Sequence, residues 1–436
     1  MEKFEFELDK LLTVDGVNGL EMITILLIIT LINQQIKELI DSFYKEQLSQ
    51  EQFIKLTKDE LLQKIEEGQR KFINVDLSGI DLSNVTLKFG YEANIYKKDG
   101  TIDLENLVFE RVDLSNSIIN NSIFSGVIFK NVNFENSQIL KSGFAGVSFR
   151  KCNFNKASLS ENFFNETWIY DSDFIQTKLN QTTFWNYEIT SCNFTESELD
   201  FSKFSQGCIE LSNFSKSNLF KAQLEFIKVF KSSFVLANFK KSELSKSLFR
   251  EVDLDRANLS SANLHQAKFI KVSLTGAKLA NANLSKMQFK NVDFTQCNLN
   301  YANLSEANLS EETLTKANFY GANLSKVDFH EATLKNCQLG NANLYQANLN
   351  SASLIFIKFN IKTNFTKAKI KNITIKDDKL TFTKLQKFTG STVSKTSKNK
   401  IKTYPKKQPK PKTYYKPYSG YYERKGLLER VLDIFS

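Results

Sequence analysis

Tyr301-Ala302-Asn303-Leu304-Ser305-Glu306-Ala307-Asn308-Leu309-Ser310 repeats one five-residue phrase, and its reading decides the fold. Working outward from Leu304, every fifth position from Leu104 to Phe359 is Leu, Phe, Ile or Val, at fifty-two successive places. A period of five fits neither the 3.6-residue helix nor the two-residue strand. The backbone must therefore turn once per repeat, and the chain is a repeat architecture before it is anything else.

A second regularity lies two residues before each large apolar position. That slot holds Ala257, Ala262, Ala267, Ala302, Ala307, Ala342 and Ala347, or Ser (Ser117, Ser122, Ser137, Ser212), Val (Val127, Val132, Val272) or Cys. A large and a small residue in every repeat suit a narrow coil interior. Between them the chain often places Asn, as at Asn258, Asn263, Asn303, Asn343 and Asn348. Asn tolerates turn conformations and bonds its local backbone, so these positions are expected at the turns.

Sampling the large positions every twenty residues separates four classes. One reads Phe124, Phe144, Phe164, Phe184, Phe204 and then Leu; another reads Phe134, Phe154, Phe174, Phe194, Phe214, Phe234. A third is aliphatic (Ile119, Ile139, Leu159, Leu179), and the fourth passes through Ile169, Ile189, Ile209 and Val229. Like follows like at twenty, so four pentapeptides make one coil of a four-sided solenoid. Thirteen coils from Leu104 to Phe359 would rise ~60 Å at ~4.8 Å each.

The phrases Ala302-Asn303-Leu304-Ser305 and Ala347-Asn348-Leu349 resemble the A-(D/N)-L-x-x motif of the pentapeptide repeat family. The resemblance spans roughly residues 74 to 375. The run from Glu60-Leu61-Leu62 to Phe72, then Val75-Asp76-Leu77-Ser78-Gly79, is similar to openings common in cyanobacterial members. What the resemblance implies is an all-β solenoid, a right-handed quadrilateral β-helix. It implies little about function. One branch of the family mimics DNA and binds type II topoisomerases such as gyrase, which demands an acidic rod.

The expected organisation is an α-helical N-terminal module at 1–72, the β-helix at 73–375 with a loop insertion at 88–101, and an edge cap at 376–390. A Lys/Tyr/Pro-rich linker at 391–425, expected to be disordered, and a short amphipathic helix at 426–436 complete it. The formal charge of +10 is unevenly shared, because residues 1–70 sum to −6, residues 71–375 to +5 and residues 376–436 to +11. The basic character belongs mainly to the tail.

In the N-terminal module, Ile25, Ile28, Ile29, Ile32 and Ile36 recur at helical spacing and form a candidate interface, inside a cap or between two copies in a homodimer. The run Leu20–Ile32 contains Glu21 and is too short to span a bilayer, which needs ~17 residues or more. Thr57-Lys58-Asp59-Glu60 spells a capping box for a second helix with Leu61, Leu62 and Ile65 inward and Gly68 at its end. A helix there would cover the bare edge of the first coil.

The tail concentrates cations. Lys406, Lys407, Lys410, Lys412 and Lys416 are interleaved with tyrosines and all four prolines, and no acidic residue lies between 391 and 422. Such a segment attracts polyanions, either nucleic acid or an anionic membrane surface. Leu427, Leu428, Val431, Leu432 and Phe435 then line one face of a short helix suited to docking on a protein partner or on the rod itself.

Chemistry is sparse. Cys152, Cys192, Cys297 and Cys337 fall in the small inward slot and Cys208 one place later, a phase that reads as packing. Members of each pair, 152/192 and 297/337, lie two coils or roughly 10 Å apart, too far for a disulfide. His265 and His330 sit thirteen repeats apart and cannot share a metal. Asp171, Asp173, Asp253 and Asp255 read as solvated wall positions. Departures from the small slot are noted at Asn162, Tyr187, Ile227, Met287 and Ile357, with Tyr187, Trp185 and Trp168 in one aromatic neighbourhood. The expectation is a non-enzymatic interaction scaffold with no cofactor, metal or small-molecule substrate. It would reside in the cytoplasm, with peripheral membrane association open through the tail, and act on an unidentified protein partner.

Overall fold

The computed structural model describes residues 53–89, 106–376 and 385. The chain divides into two compact units, Met1–Lys55 with Asn74–Asp76, and Leu56–Ile73 with Leu77–Ser436. In the described part of the first, Ile54 and Lys55 pair in parallel with Val75 and Asp76. The second unit holds the repeats.

There the chain winds into a parallel β-solenoid of about 15 coils. Phe144 pairs with Phe164, Phe164 with Phe184 and Phe184 with Phe204, so each coil takes twenty residues. Four faces follow, beginning at 122–125, 127–130, 132–135 and 137–140 and recurring every twentieth residue. The first face carries strands from Thr86–Lys88 to Lys203–Ser205, the second from Leu107–Asp113 to Gln288–Lys290, and the third from Thr313–Thr315 to Thr374–Lys376. Elsewhere single parallel bridges join the coils. Backbone bonds run both ways along the stack: Asn258 N–H donates to Ala237 O at 2.9 Å, and Leu259 N–H to Lys278 O at 2.7 Å.

The corners lie somewhere other than the Asn slot. Asn258, Asn263, Asn303, Asn343 and Asn348 are all in extended bridges between coils. The left-handed residue comes three places later, at Ser261 (φ 58°), Gln266 (φ 60°) and Glu306 (φ 62°). Expecting Asn at the turn was half right. Its Oδ1 accepts from the backbone two residues on, as Ser305 N–H to Asn303 at 3.2 Å, and so braces the approach to the corner. Its amide also donates to the Asn one coil earlier, giving a ladder from Asn263 through Asn283, Asn303, Asn323 and Asn343 to Asn364.

Inside, the twenty-residue classes become stacks. Phe134, Phe154, Phe174, Phe194, Phe214 and Phe234 lie ring on ring with centroids between 4.4 and 4.8 Å. Phe124 to Phe204 form a second column at 4.7–5.4 Å. Both columns are buried, and the opposite small slots leave the width they need.

At the N-terminal end the helix Lys58–Glu66 has both bonds of the Thr57/Glu60 capping box, buries Leu61 and Ile65, and is followed by Gly68 at φ 100°. Lys58 Nζ donates to Ser83 O at 3.2 Å, which ties it to the first coil. Two boundaries differ from expectation. The strand Lys71–Asp76 begins ahead of 73, with Phe72 buried and stacked on Phe109 at 5.5 Å. The coil also continues through Lys88, in a strand, and buried Phe89, so the insertion expected at 88–101 starts later; its remainder lies outside the described residues. The registers of Leu87 with Phe124 and Asp81 with Ile118 show that the excursion restores phase on its return.

Near the other end the pairing of Asn343 with Asn364 marks a one-residue phase slip. The extra residue is absorbed in a turn at Asn360, whose Oδ1 accepts from Lys362 N–H at 3.1 Å, leaving Ile361 in solvent. The edge cap expected at 376–390 lies, apart from Lys376 and Leu385, outside the described residues.

Holding an L-residue in the left-handed region costs roughly 1–2 kcal/mol, most for β-branched side chains. Lys156 (φ 59°) is exposed and makes no ion pair among the described residues. Lys156→Val should therefore lower stability by about 1–2 kcal/mol while Lys156→Asn leaves it unchanged, read by urea denaturation.

Candidate functional site

The five cysteines form no disulfide. Burial pushes the thiols of Cys152, Cys192 and Cys337 up to about 12, and that of Cys297 higher still. The sulfurs of Cys152, Cys192 and Cys337 donate to backbone carbonyls, as Cys192 Sγ to Thr190 O at 3.3 Å. A thiol so held is a poor nucleophile and metal ligand. His265 Nδ1 lies 2.8 Å from Ser285 Oγ, and His330 Nδ1 lies 3.1 Å from Asn350 O, each engaged with the next coil. Asp255 accepts from Ser273 Oγ and, at 3.1 Å, from Thr275 N–H. Among the described residues no group of His, Cys, Asp or Glu is placed to hold a metal ion.

The aromatic neighbourhood divides by phase. Tyr187 points inward and is buried, edge-on to Phe184 at 5.8 Å and Phe204 at 5.6 Å. Gly207, one coil later in the same slot, makes the room: a Cβ there would sit 2.3 Å from the Tyr187 ring. Burial raises the Tyr187 hydroxyl well above the ordinary tyrosine range, and its oxygen has no hydrogen-bond partner. Trp168 and Trp185 turn outward and are each 42 % exposed. Phe163, 48 % exposed, stands one coil before Trp185 on the first face; the sequence reading passed over it because its outward position varies freely. Together they place three large aromatic side chains on adjoining faces around one corner.

Glu312 was also missed, and the signal was available: a charged residue in the small slot. Its carboxylate is buried, accepting Asn291 N–H at 2.7 Å and Val292 N–H at 2.9 Å. In another coil the residue matching Asn291, Lys271, donates instead to a backbone carbonyl, Lys290 O. Glu312 thus replaces a main-chain bond where the second-face sheet ends at Gln288–Lys290 and the third-face sheet opens at Thr313–Thr315. Slot hydroxyls act similarly elsewhere, as Ser172 Oγ accepting Cys152 N–H at 3.0 Å. Burial holds the Glu312 carboxyl above the usual range against the opposing pull of those two N–H donors.

The remaining sequence candidates (Ile25, Ile28, Ile29, Ile32 and Ile36; Lys406, Lys407, Lys410, Lys412 and Lys416; Leu427, Leu428, Val431, Leu432 and Phe435) lie outside the described residues. Among the described residues no helix is long and apolar enough to cross a membrane.

Comparison with known proteins agrees with the coil geometry. A family profile described as a pentapeptide repeat region matches residues 267–344, and one described as pentapeptide repeats (8 copies) matches 103–139 and 232–269. The repeats are those of the pentapeptide repeat family. Solved structures similar to the chain include HetL from the cyanobacterium Nostoc sp. strain PCC 7120, a pentapeptide repeat protein involved in heterocyst differentiation regulation. It is 20 % identical, with 68 % of this chain and 96 % of that one covered and a TM-score of 0.23. Rfr23 from the cyanobacterium Cyanothece 51142 is 33 % identical over 25 % of this chain and 61 % of its own, with a TM-score of 0.17. QnrB1, a plasmid-mediated fluoroquinolone resistance protein, is 14 % identical over 54 % of this chain and 90 % of its own, with a TM-score of 0.18. A comparison with curated protein sequences found no match.

Two outcomes follow from this packing. Gly207→Ala should cost about 1–3 kcal/mol by overpacking, and most of that cost should vanish in the Tyr187→Ala background, measured as a double-mutant cycle. Because the folded carboxyl of Glu312 is raised, its protonated form is favoured in the native state. Its contribution is therefore fully present at acid pH and lost as pH rises through the folded value. The melting temperature of the parent chain should accordingly fall relative to Glu312→Gln as pH is raised above 4.5.

Proposed function

We propose that the chain is a non-catalytic scaffold that binds a protein partner through the side of its solenoid, with its two terminal segments as further contacts. The observation that carries this reading is the outward placement of Phe163, Trp168 and Trp185 on adjoining faces of a rigid, hydrogen-bonded coil. Large aromatic side chains left in solvent are what interfaces bury most profitably, Trp above all. Rigidity adds to this, since little conformational freedom is lost on association. The inward, hydrogen-bonded thiols and the structurally engaged carboxylates argue against a reacting group in the described coils.

A topoisomerase-binding DNA mimic is the alternative within the family, and it requires a run of acidic side chains along the rod. The cations Lys228, Lys231, Arg250 and Lys268 interrupt any such run on the second face. Polyanion binding through Lys406, Lys407, Lys410, Lys412 and Lys416 would add to scaffolding and not replace it.

The test uses the full chain as bait in extract of its source organism. The variant Phe163→Ser/Trp168→Ser/Trp185→Ser should lose a partner that the parent retains, with the two melting curves superimposable. Equal recovery by both would move the interface away from these aromatics. Equal recovery by a chain shortened by residues 376–436 would remove the tail.

A further inference from the structure

The second face changes character over four coils. Its outward residues there come in pairs: Lys228 with Phe230, Leu248 with Arg250, Lys268 with Ile270, and Gln288 with Lys290. Register stacks Lys228, Leu248, Lys268 and Gln288 in one column and Phe230, Arg250, Ile270 and Lys290 in the other. Each coil presents one cation, Lys228, Arg250, Lys268 and Lys290 in turn, which changes column at every coil as on a checkerboard; the residue beside it is apolar in the first three coils and Gln288 in the fourth. With ~4.8 Å between coils and ~6.6 Å between alternate residues, neighbouring cations stand about 8 Å apart on the diagonal.

These cations are unspent. Among the described residues, Lys228, Lys231, Arg250, Lys268 and Lys290 make no ion pair, whereas Lys271 at the adjoining corner is held by Glu251 at 2.9 Å. The Arg250 Nε is buried between the Phe230 and Ile270 positions of its column and has no hydrogen-bond partner.

We propose that this checkerboard docks an extended acidic segment of a protein partner, one in which carboxylates alternate with apolar side chains along one face. The proposal deepens the scaffold reading and rests on it. Three observations favour such a segment over other anions. The strip is short, about 14 Å over three coil spacings, and carboxylates stand beyond it, Glu210 and Asp328 on the same face and Glu311 at the corner beside it. A nucleic acid strand would carry its phosphates onto those carboxylates, and the aliphatic Leu248 and Ile270 offer no stacking platform for bases. Asp253, Asp255 and Asp293 border the strip on the third face, where an anionic bilayer would press against them. An extended peptide, by contrast, sets residues i and i+2 on one face at the same ~6.6 Å spacing as the two columns, so a carboxylate at i and an apolar side chain at i+2 meet the cation and the apolar residue of one coil.

The experiment titrates the full chain into a fluorescein-labelled octapeptide, Glu-Ser-Leu-Ser repeated twice, which puts Glu and Leu alternately on one face, followed by anisotropy at ~50 mM salt. Binding is expected. It should weaken at least tenfold in Lys228→Glu/Arg250→Glu/Lys268→Glu/Lys290→Glu, and less than twofold in Lys240→Glu/Lys241→Glu/Lys278→Glu, which reverses three cations on the fourth face. Should the fourfold variant fail to melt cooperatively, Lys228→Glu/Lys268→Glu serves, with at least a threefold loss expected. An octapeptide of Glu-Ser-Ser-Ser repeated twice should bind at least threefold more weakly than the Leu peptide. Absence of binding, indifference to the second-face reversals, or equal affinity for the Ser peptide each overturns the proposal. Tighter binding of a twenty-residue oligo-dT, or of phosphatidylserine vesicles, through the same four cations overturns it in favour of nucleic acid or membrane. Retention of the natural partner through Phe163, Trp168 and Trp185 after such a failure would leave the broader scaffold reading standing.

Discussion

The left-handed corner residue is the constraint on which the rest depends. Four times per coil the chain must turn by about a right angle, and from Asn116 to Asn372 it does so with one residue at positive φ, the turn at Asn360 excepted. No Val, Ile or Thr occupies such a position among the described residues, though these types are common elsewhere in the coils. That exclusion follows from the steric cost of a branched Cβ beside the carbonyl in the left-handed region. Phe201, Leu211, Phe226, Leu236 and Tyr301 do occupy corners, and that same geometry turns their side chains to solvent. Exposed apolar side chains thus arise on this fold partly from the corner geometry, and only some of them call for a partner.

Once corners recur every five residues, the interior is fixed to one large and one small side chain per wall. Any departure has to be accommodated one coil away. Tyr187 in a small slot is matched by Gly207 directly after it, and the tyrosine keeps the column continuous at the expense of an unpartnered hydroxyl. Glu312 is accommodated differently, by accepting hydrogen bonds from two N–H groups that the change of sheet would otherwise leave open. In both cases the compensation sits twenty residues from the exception. The coil is therefore the unit within which a substitution acts, as expected of a quasi-one-dimensional stack.

This explains how much of the molecule the sequence makes legible. Position in the five-phase decides inward or outward, so the buried cysteines, the Phe columns and the capped helix at Thr57–Glu60 could all be read directly. Asn was misplaced because its local hydrogen bonding was equated with turning, when it braces the extended residue ahead of the corner. Glu312 escaped because the slot was read for size and not for charge. Surface features are harder: Phe163 and the Lys228–Lys290 strip mean nothing along the chain until register brings residues twenty apart together. The three terminal candidate sets lie outside the described residues, so they stand as they were read.

The same geometry bears on where specificity resides. Inward positions are spent on stacking and cannot vary without a matching change one coil on. Outward positions carry no such coupling beyond amide ladders such as Asn263 to Asn364, and they are free to differ from coil to coil. Where the outward residues run monotonously, as in that Asn ladder, the wall is bonding to itself and its amides are satisfied. Where they break into aromatics at Phe163 to Trp185, or into alternating cations and apolar side chains at Lys228 to Lys290, the wall leaves groups unsatisfied. A solenoid has no cleft to concentrate a site, so recognition has to be written as a two-dimensional pattern on a flat face. These two interruptions are the patterns the described coils carry. Both are larger than one coil, so neither could form without the register that the corners impose.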